Sequence, residues 1–285
     1  MLKPIPDEAA LMVELSSGER ALIIADIHLG FELELSSHGL RVPSQTGKIL
    51  SRIIRLIDTY RPGKVILLGD VKHKIASIST IDWIDIPLFF EKLIERVNNV
   101  EVILGNHDGN LEPLTPRSVK IHSSRGLKLN LSSGRSVGLI HGHAWPSANL
   151  FDADTIVMGH IHPTIELRDF SNFKMVEPVW IKLEVDLRTL ISMYLKYRKI
   201  RLENQSDPAD VFKELFGFEP NTQRIIVMPA FNSHLRGLSI NKSRGRVEPI
   251  SPILESGAVN WSSAEVFLLD GTFLGQLSLL MDFPV

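Results

Sequence analysis

Short apolar runs that each break off on glycine or a polar side chain constrain this chain more than any other feature. They read "RALIIAD" (20–26), "KVILLGD" (64–70), "VEVILGN" (100–106), "SVGLIHG" (136–142) and "TIVMGH" (155–160). Their length and β-branched content predict strands buried on both faces. Between the first two, Ile49, Ile53, Leu56, Ile57 and Tyr60 recur at helical spacing until Pro62-Gly63 stops the pattern, and "LFFEKLIERVNN" (88–99) has the same period. Strand, helix, strand, helix, strand predicts an α/β sheet whose faces are covered by helices.

Beyond residue 163 the pattern changes to "KMVEPVWIKLEVD" (174–186), "RIIVMPAF" (224–231), "AEVFLLD" (264–270) and "FLGQLSLLM" (273–281). These stretches predict a second sheet with few helices between its strands. Residues 187–217 differ, reading as two helices broken at Ser206-Asp207-Pro208, a helical insertion on the edge of the sheet. With no Gly/Ser linker and no internal repeat, the 285 residues are expected to form a single domain, 1–285.

The strands matter because open α/β sheets bind ligands at the C-terminal ends of their strands. Taken in order, those ends offer Asp26 and His28, Asp70, then Asn106, His107 and Asp108, then His141 and His143, and lastly His160 and His162. Residues two apart leave an extended strand on the same side. The chain has no cysteine, so disulfides, thiolate metal sites and a cysteine nucleophile are excluded and any metal must take N and O donors. Carboxylates, imidazoles and one amide oxygen suit two divalent ions of the manganese, iron or zinc kind. Two such ions, roughly 3.5–4 Å apart, bind a phosphate between them and need an anionic bridge from the protein. Asp70, with two oxygens to share, is the natural bridge.

These blocks, DxH, GD, GNHD, a histidine after a strand, and GHxH, resemble the calcineurin-like metallophosphoesterases and stand in the same order. The resemblance implies a four-layer αββα sandwich of two mixed sheets flanked by helices. It implies that Asp26, His28, Asp70 and His162 hold one metal while Asp70, Asn106, His141 and His160 hold the other, with manganese foremost and iron, zinc or nickel as alternatives. His107 then becomes the catalytic imidazole, and the reaction an in-line attack on phosphorus by a hydroxide bridging the metals. "DIHLGFELELSSHGLRVPSQT", "GDVKH", "HGHAWPS", "PAFN" and "LLDGTFLG" resemble more narrowly an archaeal branch related to the SbcD-like subunits of DNA-repair exonucleases. His73 departs from the GDxxD or GDxxN of many phosphatases and agrees with those exonucleases, which directs the reading to a phosphodiesterase acting on nucleic acid ends or nucleotides. Phosphomonoesterase, cyclic-nucleotide phosphodiesterase and a non-enzymatic scaffold are the rivals.

Other residues carry two readings each. Asp108 either orients His107 or caps a turn, and His143 is either a packed imidazole or a substrate contact. Trp145 either stacks a base or packs beside its proline, while His38 and Arg41 belong to a loop that overhangs the site or is merely solvated. The basic runs 196–201 and 242–246 lack the aromatic interleaving of a single-strand platform. A net charge of -2 gives no global field for gathering nucleic acid. The N-terminus lacks the apolar core of a signal peptide and no run reaches membrane-spanning length, so a cytoplasmic protein without a membrane partner is expected.

Overall fold

A computed structural model describes residues 2–37, 39, 42–75, 78–168, 173–203, 206–235, 237–242 and 251–281. The apolar runs pair into two mixed sheets. The first keeps chain order across its six strands: β1 (Leu2–Pro4), β2 (Ala10–Glu14), β3 (Arg20–Ile24), β4 (Lys64–Leu68), β5 (Asn99–Ile103) and β6 (Lys120–His122). β1 to β3 pair antiparallel and β3 to β6 parallel. Alternate residues face opposite ways: Leu22, Ile24, Val65 and Leu67 pack on helices, while Ala21, Ile23, Ile66 and Leu68 pack on the second sheet. Burial of both faces explains why these strands read as unbroken apolar runs.

The covering helices are α1 (Phe31–Ser37), α2 (Thr46–Tyr60) and α3 (Asp82–Ile94). α2 buries Ile49, Ile53, Leu56 and Ile57 and ends at Arg61 in the left-handed conformation, where the sequence predicts its stop. α3 starts earlier than its apolar period shows. Ser79 Oγ accepts from the Asp82 amide at 3.1 Å and Asp82 Oδ2 accepts from the Ser79 amide at 2.7 Å, a reciprocal cap that begins the helix before Pro87.

The second sheet contains β7 (Leu127–Asn130), β8 (Ser136–Ile140), β9 (Thr155–Met158), β10 (Pro163–Arg168), β11 (Lys174–Glu184), β12 (Arg224–Val227) and β13 (Leu238–Ser239), in the spatial order β13-β10-β11-β12-β9-β8-β7. β14 (Glu265–Leu268) pairs with β11, and β15 (Phe273–Gln276) with β14. The expected strand at 273–281 is a strand only to Gln276. A short helix follows, α6 (Leu277–Met281), which buries Leu277 and Leu280 one turn apart.

Residues 187–217 hold α4 (Leu187–Tyr197) and α5 (Pro208–Phe216), started by Asp186 and Asp207 side-chain caps. They cover a face of the second sheet rather than its edge, because Leu190, Ile191, Tyr194, Leu195 and Phe212 are fully buried against Ile156, Ile181 and Ile225. The result is helices, sheet, sheet, helices, with three apolar cores between the layers. No helix among the described residues is long and apolar enough to cross a membrane.

Candidate metal centre

The C-terminal ends of β3, β4, β5, β8 and β9 deliver the candidate donors to one place. Each chain segment must turn sharply there, and the backbone records it. Asp26 (φ 57), His28 (φ 42), Asp70 (φ 50), His160 (φ 75) and His162 (φ 43) all adopt left-handed conformations. Such residues cost on the order of 1–3 kcal/mol each and persist where their surroundings over-determine them. The His28 amide donates to the Asp70 carbonyl at 2.9 Å, the His160 amide to Asp26 Oδ2 at 3.0 Å and the His107 amide to Asp70 Oδ1 at 2.9 Å. Glycines make room for both carboxylates. A Cβ on Gly105 would lie 2.1 Å from Asp70 Oδ1, and one on Gly159 2.4 Å from Asp26 Oδ2.

Within this frame two triads that include a carboxylate form, Asp26 with His28 and His162, and Asp70 with His141 and His160, and an all-imidazole group, His28 with His73 and His107, lies beside them, the donor atoms of each within 4.8 Å of one another. His162 Nε2 is 3.2 Å from Asp26 Oδ1. His141 Nε2 is 3.3 Å from Asp70 Oδ2 and 3.1 Å from Asn106 Oδ1, and His160 Nδ1 is 3.1 Å from His141 Nε2. The triads meet at Asp70, whose Oδ2 is also 3.4 Å from His28 Nε2.

Burial opposes ionisation of both aspartates, yet the imidazoles around them prevail. His162 foremost, then His141 and His28, hold the Asp26 carboxyl below the usual range. His141, His28 and the His107 amide hold Asp70 far below it. Burial lowers His28 to about 3 against the pull of Asp70 and Asp26. For His141, burial is outweighed by the Asp70 hydrogen bond and the Asp26 charge, which raise it to about 9.

The donor atoms themselves test the fit of a metal. Asp26 Oδ1, His28 Nε2 and His162 Nε2 are buried and have no hydrogen-bond partner. Buried polar atoms without partners are rare and costly. Three of them converging in one triad fit a cation. The donor chemistry agrees, being nitrogen and oxygen only.

The model of the calcineurin-like phosphoesterase family matches residues 19–188. The chain belongs to that family. It is therefore a metal-dependent hydrolase of phosphoric esters. Similar solved structures include the Pseudomonas putida nuclease MPE, 16% identical with a TM-score of 0.47 over 95% of this chain and 98% of that one. The E. coli phosphoesterase YfcE is 19% identical, TM-score 0.35, over 52% of this chain and 73% of that one. Entamoeba histolytica Vps29, solved with zinc, is 14% identical, TM-score 0.29, over 58% and 86%. No curated protein is similar enough to the chain to be set beside it.

Around the triads the phosphoesterase places its remaining predicted residues unevenly. His107 is partly exposed, its Nδ1–H donating to the His73 carbonyl and its Nε2 3.9 Å from Asp70 Oδ2. His73 Nδ1 lies 3.2 Å from His28 Nδ1, and its Nε2 meets the Glu34 carboxylate. His143 packs its ring 5.4 Å from His141 and 5.9 Å from His160, with Nδ1 buried and unpartnered.

Asp108 uses its carboxylate as a clamp on the backbone. Its Oδ1 accepts from the Val71 and Lys72 amides (2.8 and 3.2 Å) and its Oδ2 from the Gly105 amide (2.9 Å), tying the end of β4 to the end of β5. Burial and the Asp70 charge push this carboxyl up to about 6. Trp145 stacks on Tyr197 at 5.7 Å and contacts Tyr194 of α4, so its ring is used for packing. His38 and Arg41 lie outside the described residues.

Sequence reasoning missed two neighbours. Glu34 comes to His73 from α1, which no spacing reveals. Lys72 is fully buried, its ammonium donating to the Lys74 and Ile75 carbonyls. Burial lowers its pKa against the pull of Asp108, Asp82 and Asp70. A lysine two residues after Asp70 was the available signal.

Proposed function

We propose that the centre holds two divalent cations and hydrolyses phosphodiesters. One observation carries the reading: a single carboxylate oxygen, Asp70 Oδ2, faces both triads, at 3.4 Å from His28 Nε2 and 3.3 Å from His141 Nε2. Asp26, His28, Asp70 and His162 would hold one ion, and Asp70, Asn106, His141 and His160 the other. When bound, such ions neutralise phosphoryl oxygens and lower the pKa of an attacking water.

The protein's own groups orient and transfer. The Leu68 carbonyl accepts His141 Nδ1–H at 3.0 Å, which presents the Nε2 lone pair to the centre. The His73 carbonyl fixes the His107 ring by accepting its Nδ1–H, and from that orientation the imidazolium form would give its Nε2 proton to the departing oxygen. His143 borders the hollow lined by Asn106 and Asp108, from which its ring would contact a phosphoryl oxygen.

Two features favour diesters over monoesters. His73 stands where many monoesterases of the wider family have a carboxylate or amide, in agreement with the SbcD-like exonuclease branch. A cavity of about 490 Å³ beside His107 and His73, walled by Leu33 and Ile75, gives room to the apolar body of a leaving group. We take residues 1–285 as one domain, in which 187–217 is a helical addition sharing the core of the second sheet.

Manganese-loaded protein is expected to bind two ions per chain by elemental analysis and to cleave bis-p-nitrophenyl phosphate faster than p-nitrophenyl phosphate. Asp70→Asn is expected to lose ions and activity together. A monoester preference would overturn the diester reading, and one ion per chain the binuclear one.

A further inference from the structure

The surface beside the His162 triad carries cations out of keeping with a chain of net charge -2. A cavity of about 550 Å³ begins at His162 and Pro163 and runs out to Arg52. Arg52 also lines an open groove on α2 with Lys48, Arg55, Ser44 and Ser51, so this side chain is a wall common to the two hollows. Lys48, Arg52 and Arg55 recur at helical spacing on one stripe of α2, which spans about 10 Å between Lys48 and Arg55.

The charges are poorly compensated. Glu8 alone meets both Arg52 (2.5 Å) and Arg55 (2.7 Å), and Arg55 remains 67% exposed. Lys48 has no ion-pair partner among the described residues. At the inner end Glu166 meets both Lys174 (2.7 Å) and Lys242 (3.2 Å), two cations on one carboxylate. The acid bordering the outer end is Asp85, held by Ser44 and Thr46 hydroxyls.

The walls between the charges are mixed. Asn232, Ser233 and Ser239 offer hydrogen bonds, while Val176, Pro178 and Leu235 offer apolar surface. A bare phosphate chain has no use for the apolar part. A sugar and base between phosphates uses both. A cavity of this volume takes one or two nucleotides and not a duplex.

We propose that this groove is a track for the backbone of a single nucleic-acid strand, gripping phosphates on Lys48, Arg52 and Arg55 and leading a diester to the His162 side of the metal centre. The proposal rests on the diesterase reading above and adds its substrate class. Two or three phosphates fit along the α2 stripe, and each contributes about 0.7 to the salt dependence of single-strand binding.

The test uses manganese-loaded protein and a labelled phosphorothioate strand of 12 nucleotides, titrated by anisotropy across a salt series. The strand is expected to bind at least tenfold tighter than a dinucleotide. Lys48→Glu/Arg55→Glu is expected to weaken it at least tenfold at 0.1 M salt and reduce the salt slope by about 1.4. Lys92→Glu/Lys213→Glu, an equal charge change on other helices, is expected to leave the slope alone. Turnover of bis-p-nitrophenyl phosphate by the unaltered protein reads the diesterase assignment separately. Turnover of that ester combined with dinucleotide-level strand binding, an unchanged slope in the α2 variant, or a duplex or polyphosphate bound as tightly as the strand would overturn the track.

Discussion

Gly105→Ala isolates the packing of the Asp70 carboxylate from its chemistry. Gly105 does not occupy the left-handed region, so its backbone accommodates alanine, and the cost is purely steric. The new Cβ would lie 2.1 Å from Asp70 Oδ1 and 2.4 Å from the Asp70 amide nitrogen, where real contacts stay beyond 3.0 Å. Asp70, backbone and carboxylate together, must therefore shift by about 1 Å, a displacement that costs on the order of 100-fold in rate. The shift also breaks the bond from the His107 amide to Oδ1, and a hydrogen bond to a charged group contributes about 1.5–3 kcal/mol. Loss of about 2 kcal/mol in a chain of this size lowers Tm by about 5 °C. The expected variant is folded, binds fewer than two ions by elemental analysis, and cleaves bis-p-nitrophenyl phosphate about 100-fold more slowly. A folded Gly105→Ala protein with full metal content and undiminished turnover would refute the argument that Asp70 must lie between the triads.

Asp108→Asn removes an acceptor for the Gly105 amide, so about 1–3 kcal/mol of stability is expected to disappear, with a smaller effect on turnover per folded molecule than Gly105→Ala; the comparison needs only melting curves and initial rates. Glu101, bonded to Lys64 (2.8 Å) and His122 (2.6 Å), has a pKa that burial would raise but these partners hold below the ordinary 4.5, so its contribution is present above pH 4.5 and lost as pH falls through the lower folded value. Glu101→Gln is therefore expected to cost about 2 kcal/mol at pH 7 in urea unfolding, with the gap from the parent closing below pH 4. Chelation is expected to lower Tm by several degrees in the parent and by much less in Asp70→Asn, since ions that bind only the folded state stabilise it by mass action; equal shifts in both would argue against Asp70 as a ligand.

The strand ends were legible because burial on both faces leaves no place for polar residues except where a strand stops. Asp26, Asp70, His141 and His160 stand out for that reason. Other features depend on contacts that spacing does not encode. Asp108 is adjacent in sequence to His107, yet its carboxylate turns to three backbone amides instead. Glu34 reaches His73 only through the placement of α1. The run "FLGQLSLLM" is uniformly apolar, so its period cannot distinguish strand from helix, and the turn at Gln276 is decided by where Leu277 and Leu280 find their pockets. The α2 cations look like an ordinary solvated face until the cavity at its side is seen to reach His162.

The spatial orders of the two sheets bear on when, and not only where, the site forms. β1 to β6 pair in the sequence in which they are synthesised, whereas β9 lies between β8 and β12, and β12 arrives more than sixty residues later. Local pairing forms faster than pairing across long separations. Asp26, His28, Asp70 and Asn106 are thus expected to take up their positions while the histidines of the second sheet are still mobile. In refolding followed by pulse hydrogen exchange, β3 to β5 should be protected before β9 and β12, leaving an interval in which the nascent protein has half a ligand sphere and no competence to retain metal.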